Sequence, residues 1–180
     1  VVYKEAIGLT ISEVRVVTAG EAAVKKSASY FTGARGEEKV TYSQSYFKGT
    51  VDKTTVYSYN TTTGAIDLTT TYKDDTERTN GVIPAAADMD GRTQVAYYVG
   101  AEGEEKISYS QEFTAGAVSP KTTTVYTYND DDSMLRSVVY KEAIGLTISE
   151  ARVVTAGTTA VKKSASYFTG ARGEEKVTYS

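Results

Sequence analysis

The chain has 180 residues, a formal net charge of −3 and 24% charged side chains. An acidic balance argues against a general nucleic-acid partner, which needs a basic face to release counterions from phosphates, and no apolar run reaches the roughly 18 residues that a membrane-spanning helix requires. Cys, His and Trp are absent, which removes disulfides, thiolate nucleophiles, zinc–sulfur sites and the commonest general base, so neither catalysis nor a cofactor is expected.

Thr (27) and Tyr (15) are abundant, whereas Leu (4) and Phe (4) are scarce. Thr, Val and Tyr fit a pleated, half-buried surface. The composition therefore points to β-structure with thin cores closed by Tyr. Disorder needs high net charge and few aromatic or β-branched residues, the opposite of what is present.

Along the chain, short alternating runs are separated by turn clusters. The runs are "KVTYSQSYF" (39–47), "TTVYSY" (54–59), "DLTTTY" (67–72), "TQVAYYV" (93–99), "KISYSQEF" (106–113), "TTTVYTY" (122–128), "RSVVY" (136–140) and "KKSASYF" (162–168). Val40, Tyr42 and Tyr46 fall at even spacing with polar residues between them, the period of a strand covered on one face. Connectors such as "TGARGEE", "KGTVD", "NTTTGAI", "GAEGEE" and "NDDDSML" are rich in Gly, Asn and Asp, which supply positive φ and side-chain turn bonds.

The chain repeats itself. Residues 1–43 align without gaps with residues 138–180, and 40 of the 43 positions are identical; the differences are Val14/Ala151, Glu21/Thr158 and Ala22/Thr159. A weaker internal match halves this period. "SYFTGARGEEKVTYSQSYF" (29–47) aligns with "AYYVGAEGEEKISYSQEF" (96–113), and "KTTVYSYN" (53–60) with "TTTVYTYN" (122–129). The division expected from these matches is the tail of a preceding unit (1–28), unit one (29–95), unit two (96–165) and the start of another unit (166–180). The first residues already lie inside a repeat, so the chain reads as a segment whose targeting information lies elsewhere. A continuation resembling "QSYFKGTVDKTTVYSYN" is expected after Ser180. Stacked units see one environment over and over, which is the logic of quasi-one-dimensional arrays. The expected fold is all-β, a solenoid or a spiral of β-hairpins.

"YTYNDDDSMLRSVVY" (126–140), "YSYNTTTGAIDLTTTY" (57–72) and "DMDGRTQVAYYV" (88–99) resemble the tyrosine–aspartate repeats of Rhs and teneurin-type proteins. Tyr57, Tyr59, Tyr126 and Tyr128 match the paired tyrosines, and Asp88, Gly91 and Arg92 match the Asp-x-x-Gly-Arg turn; Asn60 and Asn129 stand where the pattern has Asp. The resemblance covers about half the chain. It implies a sheet of successive hairpins winding in a spiral, in large exported bacterial proteins, with no catalysis in the strands.

Candidate chemical groups each have a plainer explanation. Asp130, Asp131 and Asp132 have the oxygen chemistry of a calcium site, but an acidic turn is the commoner reason for such a run. Glu37–Lys39 and Glu104–Lys106 place carboxylates side by side, on opposite faces of a strand, and read as charged gatekeepers of a strand end. The tyrosine rows could stack on sugar rings, which makes glycans candidate partners. Cross-strand ladders are the more frequent use of such rows, so Tyr42, Tyr57, Tyr59, Tyr109, Tyr126 and Tyr128 are expected to pack between strands. The leading functional expectation is a structural segment of an extracellular bacterial filament or surface stalk that associates with itself along a fibre. The alternatives are a wall segment of a toxin-enclosing β-shell and a carbohydrate-binding adhesin array.

Overall fold

A computed structural model describes residues 2–3, 9–11, 17–19, 24–142, 146–149 and 153–180; most of the expected leading segment 1–28 lies outside these residues. The described residues are all-β apart from one short 3-10 turn at Ala86–Asp88. In order, the strands are β1 (Val2–Tyr3), β2 (Leu9–Ile11), β3 (Val17–Ala19), β4 (Lys25–Thr32), β5 (Lys39–Phe47), β6 (Thr50–Tyr59), β7 (Ile66–Lys73) and β8 (Gly91–Val99). They continue as β9 (Lys106–Glu112), β10 (Thr122–Tyr128), β11 (Met134–Lys141), β12 (Leu146–Ile148), β13 (Val154–Ala156), β14 (Val161–Thr169) and β15 (Lys176–Tyr179).

Eleven strands form one antiparallel sheet in the order β1-β4-β5-β6-β7-β8-β9-β10-β11-β14-β15. Each strand pairs with the next along the chain, except where the small hairpins β2–β3 and β12–β13 are inserted as separate two-stranded sheets. Those two hairpins were not expected from the sequence, which offers only three-residue pairings there. The alternating runs all became strands, most extended by one to four residues because a neighbour's ladder captures the flanking backbone groups.

A meander sends its connections alternately to the two ends of the sheet. One end carries the compact turns 33–38, 60–65, 100–105, 129–133 and 170–175. The other carries the two-residue turn Lys48–Gly49 and the longer connectors 74–90, 113–121 and 142–160. Nine of the ten pairings in the large sheet contain a register shift, and most of these fall beside a tyrosine, as at Tyr30/Phe31, Ser58/Tyr59, Tyr97/Tyr98 and Thr127/Tyr128. Each added residue bends its strand and raises the local twist.

The core is thin. Tyr30, Tyr42, Val56, Thr70 and Val95 pair across five strands in one row. Its buried centre is built from Ala28, Tyr42, Val95, Tyr109 and Val138 with Thr54 and Gln44 between them. No Leu belongs to the fully buried set among the described residues.

Candidate functional site: the seams between hairpins

Three hairpins are built alike. In β4–β5 the facing pairs are Tyr30–Tyr42, Phe31–Val40 and Thr32–Lys39. In β8–β9 they are Tyr97–Tyr109, Tyr98–Ile107 and Val99–Lys106, and in β14–β15 they are Tyr167–Tyr179, Phe168–Val177 and Thr169–Lys176. The register shift falls at the same step each time. The facing tyrosines stack with ring centroids 4.5, 4.2 and 4.4 Å apart and interplanar angles of 17°, 14° and 16°, contacts that add about 0.5–1.5 kcal/mol to the area they bury. The turns match too. Gly33, Gly100 and Gly170 have φ of +121°, +121° and +124°, and a Cβ at any of them would lie 2.6–2.7 Å from the carbonyl oxygen of Glu37, Glu104 or Glu174. Only glycine fits there.

In each of these turns the second glutamate closes the loop on itself. Glu38, Glu105 and Glu175 accept from the backbone N–H of Gly36, Gly103 and Gly173 at 2.8, 2.9 and 2.9 Å. Glu105 and Glu175 then use their other oxygen on the preceding hairpin. Glu105 accepts from the N–H of Ile66 at the start of β7 (2.9 Å), and Glu175 from the N–H of Met134 at the start of β11 (3.0 Å). These strand-starting donors hold both carboxyls below the usual carboxylate range, with the Ile66 and Met134 amides as the largest cause. The sequence suggested solubilising gatekeepers; the structure makes these side chains clasps between hairpins.

A tyrosine socket closes the seam on the opposite flank of the same hairpin, β5–β6 for β6–β7 and β9–β10 for β10–β11. Tyr59 of β6 donates to the carbonyl of Val40 (2.9 Å), and Lys39 sits 5.1 Å over its ring. Tyr128 of β10 donates to the carbonyl of Ile107 (2.8 Å), with Lys106 at 5.3 Å. Burial pushes the Tyr128 phenol up to about 12 and raises that of Tyr59. Tyr57 and Tyr126 meet the hydroxyls of Ser43 and Ser110 at 3.4 and 3.5 Å. Lys39 also donates to the carbonyl of Gly64 (2.6 Å) and pairs with Glu102 (2.7 Å), whereas Lys106 pairs with Asp132. Both lysines are half-buried.

The connector 74–90 adds a cover over β4–β6. Asp74 and Gln44 are buried. Asp74 accepts from Thr54 and pairs with Arg78. The Gln44 amide donates to Thr54 (3.0 Å) and to the carbonyl of Thr76 (2.9 Å), and its oxygen accepts from the N–H of Arg78 (3.0 Å). Tyr30 and Tyr42 donate to the carbonyls of Arg78 and Asn80, and burial raises the Tyr42 phenol to about 12. Lys25, raised chiefly by its bond to Glu77, ties the connector to β4. Among the described residues every buried side-chain polar atom has a partner, as a network worth keeping must. Periodicity did not reveal this cover; the shared "YSQ" of residues 42–44 and 109–111 was the available signal.

The remaining candidates have local roles. Asp131 caps Ser133, whose hydroxyl is the largest cause of its lowered pKa, and Asp132 pairs with Lys106. Among the described residues no group of three or more acidic side chains is gathered as a metal cage. Asp88 closes the 3-10 turn. Gly91 opens β8 at φ +118°, where a Cβ would lie 2.4 Å from the Gly116 nitrogen, and Arg92 lies 4.0 Å over the Phe113 ring. An open cleft of about 720 Å³ beside Lys121, Lys141, Glu142 and Lys163 has cationic walls, with no pair of carboxylates and no nucleophile–base arrangement in its lining.

Set against family models, curated proteins and solved structures, the chain matches none. The reading of its function rests on the seams alone.

Proposed function

We propose that this chain is a structural segment of an extracellular bacterial filament or surface stalk, a spiral of hairpins that performs no catalysis. The observation that carries this reading is the recurrence of the contacts on both flanks of a hairpin. The Glu105–Ile66 clasp reappears as Glu175–Met134, and the Tyr59 socket reappears as Tyr128. A seam that can be written twice can be written many times, and stability then accumulates along the array. The product of such a protein is reach and stiffness. Self-association along the fibre follows from the same seams.

The wall of a β-shell is the second reading. It draws on the register shifts in nine of ten pairings, since bulges curl a sheet. Electron microscopy of the assembly in its source separates the two. Long uniform filaments are expected, hollow capsules would replace the fibre with the shell, and dispersed single particles would remove both.

A further inference from the structure

We propose that Thr54 and Gln44 become joined by an ester bond that the folded chain forms within itself, with Asp74 as the base. The inference goes beyond the fibre reading and does not rest on it.

Three buried side chains meet between β5, β6 and the connector 74–90. Gln44 and Thr54 face each other across the two strands. Their exposures are 1% and 0%, and that of Asp74 is 2%. Each group stands where acyl transfer needs it. The Thr54 hydroxyl donates to a carboxylate oxygen of Asp74, so a base already holds the nucleophile's proton. The Gln44 amide nitrogen lies 3.0 Å from the Thr54 oxygen, and the carbon to be attacked is one bond further. The amide has one orientation: its nitrogen donates to the carbonyl of Thr76 at 2.9 Å, and its oxygen accepts from the backbone N–H of Arg78 at 3.0 Å. That N–H is aimed at the oxygen on which negative charge develops. The Arg78 side chain fixes the carboxylate by pairing with it. Burial keeps out water, the competing nucleophile.

The step balances without any co-reactant. Asp74 takes the Thr54 proton as Oγ1 attacks the amide carbon of Gln44, and the carbonyl electron pair moves onto Oε1. When that pair returns, the carbon–nitrogen bond breaks. The nitrogen leaves with the bonding pair, takes the proton back from Asp74 and departs as ammonia. The reaction runs once per chain and turns over no substrate. The chain has no Cys, so no disulfide can lock a hairpin; the ester would lock β5 to β6.

The second unit shows that the same strand pair does not suffice. Gln111 faces Thr123, which is buried, and its amide nitrogen lies 3.4 Å from the Thr123 hydroxyl. Where Asp74 follows Lys73, Glu142 follows Lys141. Glu142 has φ +64°, pairs with Lys141 at 3.8 Å and lines the open cleft. Among the described residues no carboxylate accepts from Thr123, so this pair is expected to stay unjoined.

The test refolds the intact 180-residue chain from urea and follows its mass over days. A loss of about 17 Da, one ammonia, is expected. A succinimide at Asn80–Gly81 would lose the same mass, so tryptic mapping under denaturing conditions decides. Peptides 40–48 and 54–73 should appear as one joined species that hydroxylamine separates, while 107–121 and 122–136 stay apart. Asp74→Asn should slow the joining at least about a hundredfold. Thr54→Val and Gln44→Glu should abolish it, with urea unfolding confirming that each variant is folded. The parent chain tests the proposal even where a variant fails to fold. Separate peptides 40–48 and 54–73 in the aged parent chain overturn the proposal. So does a junction that survives hydroxylamine, forms in Thr54→Val, or forms in Asp74→Asn at the parent rate.

Discussion

Residues 25–43 and 162–180 have the same nineteen amino acids and different surroundings. Both form a hairpin with the same facing pairs, the same register shift and nearly the same ring stack. Burial does not follow the sequence. Tyr42 is sealed between β6 and the connector 74–90, whereas its twin Tyr179 is largely open. Lys25 is held by Glu77, and its twin Lys162 is exposed. The comparison reverses at the phenylalanines: Phe31 is exposed, and Phe168 is half-buried near Leu135 and Asn129. Hairpin geometry is local, and burial is supplied by whichever strand or connector lies alongside.

The sharpest way to break this comparison is the same truncation in both copies. Tyr42→Ala should cost about 3 kcal/mol, the scale of deleting a buried aromatic ring, and Tyr179→Ala should stay within about 0.5 kcal/mol. Urea unfolding of the two variants decides it, and equal losses would mean that the surroundings do not matter. The cover itself can be removed next. Gln44→Ala strips partners from Thr54 and Arg78 and should cost about 2 kcal/mol. Limited proteolysis should then cut within 74–90 before any other segment.

Alkali probes the same contrast. The Tyr42 and Tyr128 phenols are raised to about 12 from an ordinary value of 10, so the folded chain binds more protons than the unfolded chain between those values. Their contribution is complete below pH 10 and is lost as pH rises from about 10 towards 12. Denaturant midpoints measured across that window should fall, and Tyr42→Phe should flatten part of the fall.

The clasps give the acid counterpart. The Glu105 carboxyl is lowered by the Ile66 amide, so its contribution is complete above the ordinary carboxyl range and fades as pH drops below it. Glu105→Gln should cost about 1 kcal/mol at neutral pH and blunt the acid side of the melting profile. The smallest effect belongs to the lysine pair. Lys39→Ala should cost about 0.5–1 kcal/mol by emptying the site above Tyr59. Lys176→Ala, with no ring beneath it, should be thermally silent by calorimetry.

Much of the strand layout was legible beforehand because alternation is a property of residues two apart. "KVTYSQSYF" and "TTTVYTY" have the bounds of β5 and β10. Pairing across Lys48–Gly49 and the compact turns 33–38, 60–65, 100–105, 129–133 and 170–175 follows from turns too short for any other route. The β2–β3 and β12–β13 hairpins were missed, since three-residue strands leave no measurable period.

By itself the sequence determined the all-β class, the places of the main strands and the twin hairpins, since backbone preference, side-chain alternation and turn glycines act over a few residues. Tertiary structure alone decided that Glu105 reaches the Ile66 amide, that the connector 74–90 folds back on Gln44 and Tyr42, and that Lys25 is held by Glu77 while its twin Lys162 is exposed. Those outcomes depend on groups tens of residues apart becoming neighbours, and a buried polar atom finds its partner only once strands and connectors have come together.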